Sequence, residues 1–144
     1  MTYVDKDGKK QRPFVIHRSA IGSYERTLAM LIEKYAGAFP LWLAPTQIKV
    51  LPITDNQVDY ANKVRDALQY EGFRVEVDSD SEKVGYKIRQ AQLEKVPYML
   101  VIGQKELDEN VVAVRTRSGE DLGQIKLEDL VTKLNMEIKE NLKK

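Results

Sequence analysis

The chain has 144 residues, which is enough for one core of ordinary size or for one domain plus part of another. Its residues are 42% hydrophobic and 31% charged, as in soluble globular proteins, and no apolar run approaches the ~20 residues that span a bilayer. We therefore expect no membrane association. The absence of cysteine excludes disulfides and predicts a cytoplasmic protein, and with a single histidine it argues against a self-contained zinc site.

The net charge of +1 is unevenly distributed along the chain. Residues 1–38 contain seven basic and four acidic side chains, whereas the remainder contains sixteen basic and eighteen acidic ones. The second part is therefore slightly acidic and does not have the bulk positive charge of a non-specific nucleic-acid binder. If it binds RNA, we expect it to use a few placed residues.

The first 38 residues predict a β-hairpin followed by a helix. The runs Tyr3-Val4-Asp5 and Phe14-Val15-Ile16 flank a segment with an Asp-Gly pair, which is a strong turn signal. Apolar side chains then recur with helical spacing over residues 19–35, and Gly37 is a typical C-terminal end. One hairpin and one helix bury too little surface to be stable alone, so we expect this segment to need a partner sheet.

Within this predicted helix, Gly22 lies one turn before Arg26. A glycine inside a helix costs roughly 1 kcal/mol relative to alanine, so it usually has a packing or functional reason. The missing side chain would leave a notch beside a permanently charged guanidinium, which suits a planar or anionic ligand. The alternative is an ordinary solvated or ion-paired arginine. His17 is likewise either functional or a structural surface residue, and one imidazole cannot hold zinc.

Residues 39–45 contain two prolines around an apolar cluster. Neither proline fits a helix interior, so we expect a connector in which Phe39 and Trp42 pack. We place the domain boundary here, between a first part over residues 1–43 and a second part over residues 44–144.

From residue 47 onward, strand and helix patterns alternate. Apolar runs predict strands over residues 48–53, 73–77, 98–102, 111–117 and 121–125. Helical periodicity predicts helices after a capping box at 54–57, over about residues 83–94, and from residue 127 onward. This order predicts an α/β domain with a mixed, mostly parallel sheet flanked by helices and an antiparallel hairpin near the end.

Alternation along the strand at 111–117 places Arg115 and Arg117 on one face. Two such arginines could contact phosphates or guanine, or they could keep an edge strand soluble. Glu106, in the predicted loop before this strand, could accept a hydrogen bond from a base amine or simply be exposed. Gly85 and Gly103 are isolated and fit no phosphate-binding loop.

The run IHR at 16–18 and the run GSYER at 22–26, followed by a long apolar helix, resemble motif 3 of bacterial-type threonyl-tRNA synthetases, which are class II enzymes. The resemblance continues in order through FPLWLAP at 39–45, ITD at 53–55, EKVGYKIR at 82–89, VPYM at 96–99 and VAVRTR at 112–117. It implies that residues 1–43 are the end of the catalytic domain and residues 44–144 the anticodon-binding domain. Motifs 1 and 2 and an editing domain are absent from this sequence.

The resemblance also implies roles for residues of the first part. Arg26 matches the motif 3 arginine that contacts ATP, and Ser23 lies where the family's helix approaches the threonyl substrate. His17 matches the third zinc ligand, whose two companions, a cysteine and a histidine, belong to a region that this sequence does not contain.

For the second part, the resemblance implies contacts with anticodon bases. Ile53, Glu106 and Arg115 match positions that make such contacts, and Arg117 is a weaker candidate. Ser81 departs from the family, in which asparagine is common at this position, so the resemblance does not carry a base contact over to it.

The implied function is that of the C-terminal part of a threonine–tRNA ligase, which activates threonine with ATP and attaches it to its tRNA. This part would recognise the anticodon of threonine-specific tRNA. ATP with Mg²⁺ and zinc would serve the full-length enzyme, which is expected to be a homodimer. This chain alone is expected to bind none of them and to be inactive, and it could be a monomer. Two alternatives stay open: a non-catalytic synthetase-derived regulatory or accessory RNA-binding module, and an interaction domain that has lost RNA binding.

Overall fold

The computed structural model describes residues 1–18 and 21–141. The elements in chain order are β1 (Tyr3–Val4), β2 (Lys10–Gln11), α1 (Tyr24–Tyr35), β3 (Ile48–Pro52), a 3₁₀ turn (Asp55–Gln57), α2 (Val58–Tyr70), β4 (Val75–Val77), α3 (Val84–Leu93), β5 (Tyr98–Ile102), α4 (Gln104–Glu109), β6 (Val111–Thr116), β7 (Asp121–Lys126) and α5 (Leu127–Asn141). The predicted alternation of strands and helices after residue 47 is confirmed.

Five strands form one sheet in the order β4-β3-β5-β6-β7. The pairs β4–β3 and β3–β5 are parallel, and the pairs β5–β6 and β6–β7 are antiparallel. Four of the five strands therefore point in the same direction, and only β6 runs the opposite way. The predicted mixed, mostly parallel sheet with a late hairpin is confirmed, and the continuously apolar β5 lies at its centre.

The two faces of the sheet are covered differently. On one face, apolar side chains of α2 and α5 pack with those of the strands into the main core, which includes Leu68, Leu100 and Leu134. On the other face, α3 packs on β3 and β5 and buries Leu51 and Met99 in a smaller cluster. Because α3 lies over only these strands, the same face of β6 and β7 is left more open.

The N-terminal hairpin is shorter than predicted. Its second strand is Lys10–Gln11, whereas residues 14–16 are irregular and Phe14 is fully exposed. The Asp5 carboxylate accepts hydrogen bonds from the backbone N–H groups of Asp7 and Lys9, each at 2.9 Å, and thereby closes the turn early. The prediction of a strand at 14–16 was wrong because a strand needs a neighbouring strand for its backbone hydrogen bonds.

Helix α1 begins at Tyr24, whereas the prediction started it at Ser19, which lies outside the described residues. Ser23 is the N-cap, and its hydroxyl accepts a hydrogen bond from the Arg26 backbone N–H at 3.2 Å. Gly22 therefore precedes the helix and has a φ of +80°. The predicted notch beside Arg26 was wrong: glycine is needed there because the backbone is left-handed.

The described part of α1 buries none of its side chains. Tyr24, Leu28 and Ile32 on its apolar side are all more than 45% exposed. The helix ends as predicted, with Ala36 and Gly37 in left-handed conformations and the Gly37 N–H donating to the Ile32 carbonyl. The hairpin and helix thus leave their apolar surface uncovered, which agrees with the expectation that this segment needs a partner.

The end of α1 and the connector at 39–45 are held to the domain that contains the five-stranded sheet (the sheet domain) by side chains that donate to backbone carbonyls. Leu41 is buried in the main core, and Phe39 packs edge-on against Tyr35 as predicted. Trp42, which was also expected to pack, is 37% exposed because Leu41 takes the buried position. Lys95 Nζ donates to Ala36 O, Arg117 Nη1 donates to Phe39 O at 2.7 Å, and Gln47 Nε2 donates to Leu41 O at 2.8 Å. Arg74 makes two such bonds, from Nη2 to Trp42 O and from Nε to Ala44 O, each at 2.9 Å. We call this set the connector clamp.

Candidate nucleic-acid interface

Three residues meet where β3 and β5 end. Ile53 follows β3 and is 43% exposed, and Gly103 follows β5. A Cβ atom at Gly103 would lie 3.0 Å from both Ile53 Cδ1 and Glu106 Oε2, so that these side-chain ends would have to move by a few tenths of an ångström. Any larger residue at this position would therefore displace the side chains of Ile53 and Glu106, which approach the Gly103 backbone closely.

Glu106 lies in the short helix α4 and not in a loop, as was predicted. Its Oε2 accepts from the Gly103 backbone N–H at 2.9 Å, and its Oε1 accepts from Gln124 Nε2 at 2.6 Å. Partial burial would raise the pKa of Glu106, but the hydrogen bonds from Gln124 and Gly103 outweigh it and hold the pKa below its ordinary value. The carboxylate is thus kept charged and able to accept further hydrogen bonds.

Arg115 lies on the same open face as this carboxylate. Residue pairs across the strands place Ala113 opposite Gln124 and Arg115 opposite Asp121. Because side chains alternate along a strand, Ala113 and Arg115 point to the same side of the sheet. Arg115 is thus the next residue of β6 on this side after Ala113, which lies opposite Gln124. Arg115 Nη2 donates to Asp121 Oδ2 at 2.9 Å, and its side chain is 40% exposed. The face therefore presents an anionic acceptor and a cationic donor on the same side of the sheet.

A groove of about 360 Å³ at the carboxyl ends of β3 and β4 adjoins this site. Ile53 and Ser81 both line it, so the structure brings Ser81 close to one of the predicted base-contacting residues. Such grooves beyond the carboxyl ends of parallel strands are common ligand sites in α/β proteins.

Lys87 is a buried residue of this groove that the sequence analysis missed. It is 3% exposed, and its ammonium donates to Pro52 O at 3.1 Å and to Asp78 O at 3.0 Å. Ile53 directly follows Pro52 in the chain, and Ser81 lies three residues after Asp78. A signal was present, since Lys87 interrupts the apolar stripe of α3 between Val84 and Ala91 and is therefore a lysine on the buried side.

Comparison with known proteins identifies the type of domain. Residues 47–137 match the family model described as an anticodon binding domain, which is more than half of the chain. The chain belongs to the anticodon-binding domain family.

The relatives of this chain are longer proteins, and each matches it over only part of its own length. The chain is 59% identical over 138 residues to a threonine–tRNA ligase of Clostridium tetani and 56% identical over the same length to one of Clostridium perfringens. Each match covers 96% of this chain and 22% of the relative. The chain thus spans about a fifth of the length of the curated relatives that it matches.

Solved structures resemble the anticodon-binding domain as well. The RNA binding domain of threonyl-tRNA synthetase from Cryptosporidium parvum Iowa II is 37% identical, with a TM-score of 0.75 over 91% of this chain and 33% of that one. Prolyl-tRNA synthetase from Cryptosporidium parvum, complexed with halofuginone and AMPPNP, is 25% identical, with a TM-score of 0.63 over 70% of this chain and 22% of that one.

In the described part of our chain, no helix has both the length and the apolar character needed to cross a membrane.

Arg117 lies apart from the open face of the anticodon-binding domain. Its guanidinium belongs to the connector clamp and donates to Phe39 O at 2.7 Å and to Lys95 O at 3.4 Å. The side chain is therefore already bonded to the backbone at the other end of β5 from Gly103. These contacts favour a structural role, and the base contact predicted for Arg117 stays a prediction.

His17, Ser23 and Arg26 lie outside residues 47–137, the range that matches the anticodon-binding domain. All three are exposed, and the Ser23 hydroxyl caps α1. Within residues 1–18 and 21–141, no three His, Cys, Asp or Glu side chains are grouped to hold a metal ion. His17 by itself does not make up a zinc site, which takes three or four protein ligands.

Proposed function

We propose that the chain is the C-terminal part of a threonine–tRNA ligase and that residues 44–144 recognise the anticodon of threonine-specific tRNA. The observation that carries this proposal is the open face of β6 and β7, along which the Glu106 carboxylate and the Arg115 guanidinium are held on the same side of the sheet by Gln124 and Asp121 of β7. The names of the relatives, threonine–tRNA ligases at up to 59% identity, support the choice of amino acid.

The chemistry of this face suits unstacked bases. A charged carboxylate accepts hydrogen bonds from base amines, and a guanidinium can donate two parallel bonds to guanine. Ile53 offers an exposed apolar surface beside the Glu106 carboxylate, against which a splayed base can pack. Because the chain after residue 38 has a slight excess of acidic residues, affinity should come from these placed contacts and not from overall charge.

RNA discrimination tests the proposal. A stem-loop with a threonine anticodon should bind the chain more tightly than one in which the second and third anticodon bases are swapped. Arg115→Ala should remove about 1–3 kcal/mol of this difference, as expected for loss of a bidentate base contact. Arg65→Ala is the matched control, because Arg65 is paired with Asp66 on α2, on the opposite face of the sheet. Equal binding of the two stem-loops by the unsubstituted chain, measured by fluorescence anisotropy, would contradict the proposal.

We further propose that residues 1–43 are the end of the ligase's catalytic domain. In the complete enzyme, Arg26 would contact ATP, Ser23 would face the threonyl substrate, and His17 would supply one of three protein ligands to zinc. The exposed apolar side of α1 supports this proposal, because such a surface is covered by other parts of a domain in a folded protein. The complete enzyme is proposed to be a cytoplasmic homodimer that uses ATP with Mg²⁺.

The chain alone should not catalyse threonine-dependent exchange of pyrophosphate into ATP. One arginine that contacts ATP is not a catalytic site, because formation of the threonyl adenylate needs ATP and threonine held in the correct geometry by many groups. The measurement is exchange of labelled pyrophosphate, with a complete threonine–tRNA ligase as the positive control. Threonine-dependent exchange by the purified chain above the background without threonine would contradict the assignment.

A further inference from the structure

We propose that Gln124 is a positioning residue for RNA recognition: its side-chain amide holds the Glu106 carboxylate in the orientation that accepts hydrogen bonds from a base. This inference rests on the proposed function and adds to it a residue for which the resemblance to known synthetases implies no role. Gln124 itself is an exposed residue of β7, 18 positions from Glu106 in the sequence.

The geometry restrains Glu106 from two separate elements. The Gly103 N–H at the end of β5 binds Oε2 at 2.9 Å, and the Gln124 amide on β7 binds Oε1 at 2.6 Å. The terminal torsion of a glutamate is otherwise broad, so one hydrogen bond alone would let the carboxylate rotate. A carboxylate offers about four acceptor positions, and two stay available for an RNA donor when these two contacts are made.

Strand β7 is shaped to make this contact. An irregularity in the β6–β7 pairing sets Gly123 opposite Val114 and Asp121 opposite Arg115, so that one additional residue of β7, Leu122, has no partner of its own. Such a bulge re-aims neighbouring side chains. As a result β7 supplies the partners of both candidate RNA-contacting groups, Asp121 for Arg115 and Gln124 for Glu106.

The same contact affects the charge of Glu106. The Gln124 hydrogen bond lowers the pKa of Glu106, and the Gly103 N–H and the nearby charge of Lys105 act in the same direction against the effect of burial. Loss of the Gln124 amide should therefore both free the carboxylate to rotate and make it easier to protonate. A protonated carboxyl would present a donor to the base in place of an acceptor.

The first measurement needs no RNA. In the full chain, the Glu106 side-chain carboxyl is titrated by NMR in the unsubstituted protein, in Gln124→Ala and in Gln124→Glu. We expect the pKa to rise in Gln124→Ala, because a hydrogen bond to the charged carboxylate is lost, and to rise further in Gln124→Glu, where a second carboxylate replaces the donor. Gln90→Ala is the matched control, because its amide also donates to a side-chain oxygen, that of Tyr86 on α3. Its effect on the pKa of Glu106 should be negligible.

The second measurement uses the two stem-loops of the discrimination assay. Gln124→Ala should reduce the ratio of their dissociation constants about three- to tenfold, while urea unfolding stays as in Gln90→Ala. In a Glu106→Ala background, Gln124→Ala should have no further effect, because it acts through that carboxylate.

The outcomes separate the two proposals. An unchanged pKa of Glu106 in both Gln124 variants, or unchanged discrimination by Gln124→Ala, overturns the positioning role alone. Absence of discrimination by the unsubstituted chain overturns the proposed function and with it the role of Gln124 in RNA recognition. A raised pKa together with reduced discrimination that depends on Glu106 supports the proposal.

Discussion

Leu41→Ala is expected to lower the free energy of unfolding by about 2–5 kcal/mol, the range found when a buried leucine is truncated. Leu41 belongs to the connector, yet it is 1% exposed and packs in the main core of the sheet domain. The cavity left by its side chain would lie among residues of the sheet and its helices. The measurement is equilibrium urea unfolding of the full chain, followed by circular dichroism.

Leu93→Ala is the matched control for Leu41. Leu93 is the last residue of α3 and is 65% exposed, so its truncation should cost less than about 1 kcal/mol. A loss for Leu41→Ala no larger than that for Leu93→Ala would show that the connector does not contribute to the core. The sequence pattern places the domain boundary between residues 43 and 44. If the expected loss is measured, the folding unit of the sheet domain also includes residues before 44.

Lys87→Met is expected to cost about 1–3 kcal/mol and to weaken RNA binding. The substitution keeps most of the apolar length of the side chain but removes the donors to the carbonyls of Pro52 and Asp78. Buried carbonyls that lose a partner are destabilising, and the cost is partly offset because a buried charge is also removed. Urea unfolding measures the first effect, and stem-loop binding measures the second, because Ile53 and Ser81 follow these carbonyls closely.

The control for Lys87 is Lys63→Met on α2. Lys63 is exposed, so the same chemical change should alter stability by no more than about 0.5 kcal/mol. If Lys87→Met unfolds at the same urea concentration as Lys63→Met and binds the stem-loop equally well, Lys87 does not hold the two segments together. The structural role assigned to its ammonium would then be wrong.

Most of the sheet domain could be predicted from the sequence because its elements carry strong periodic patterns. The apolar run at 98–102 could only be a buried strand, and the helical stripe after residue 127 is long and regular. The errors fall where local pattern does not decide. Helix α4 has six residues, too few for a period, and the apolar run at 14–16 has no partner strand among the described residues. Gly22 was predicted to lie inside a helix because the spacing of apolar residues carries no information about its left-handed φ.

The candidate site was predictable in part for a similar reason. Alternation along one strand is enough to place Arg115 on a face, and the resemblance to known synthetases adds Ile53 and Glu106. The contact between Gln124 and Glu106 depends on the register of β6 and β7, and the contact between Asp121 and Arg115 depends on a bulge, neither of which leaves a periodic signal. Lys87 did leave one, as a lysine on the apolar side of α3.

The connector clamp attaches α1 to the sheet domain at the C-terminal end of the helix only. Lys95 and Arg117 donate to backbone carbonyls just after the helix, those of Ala36 and Phe39, and tie this end of the helix to the sheet domain. Its 12 residues span about 18 Å at 1.5 Å per residue. By this geometry, a tilt of about 10° at the clamp displaces the Tyr24 end by about 3 Å, roughly the length of one hydrogen bond. Any tilt of α1 at the clamp would therefore move the end of the helix that carries Arg26 further than the clamp itself.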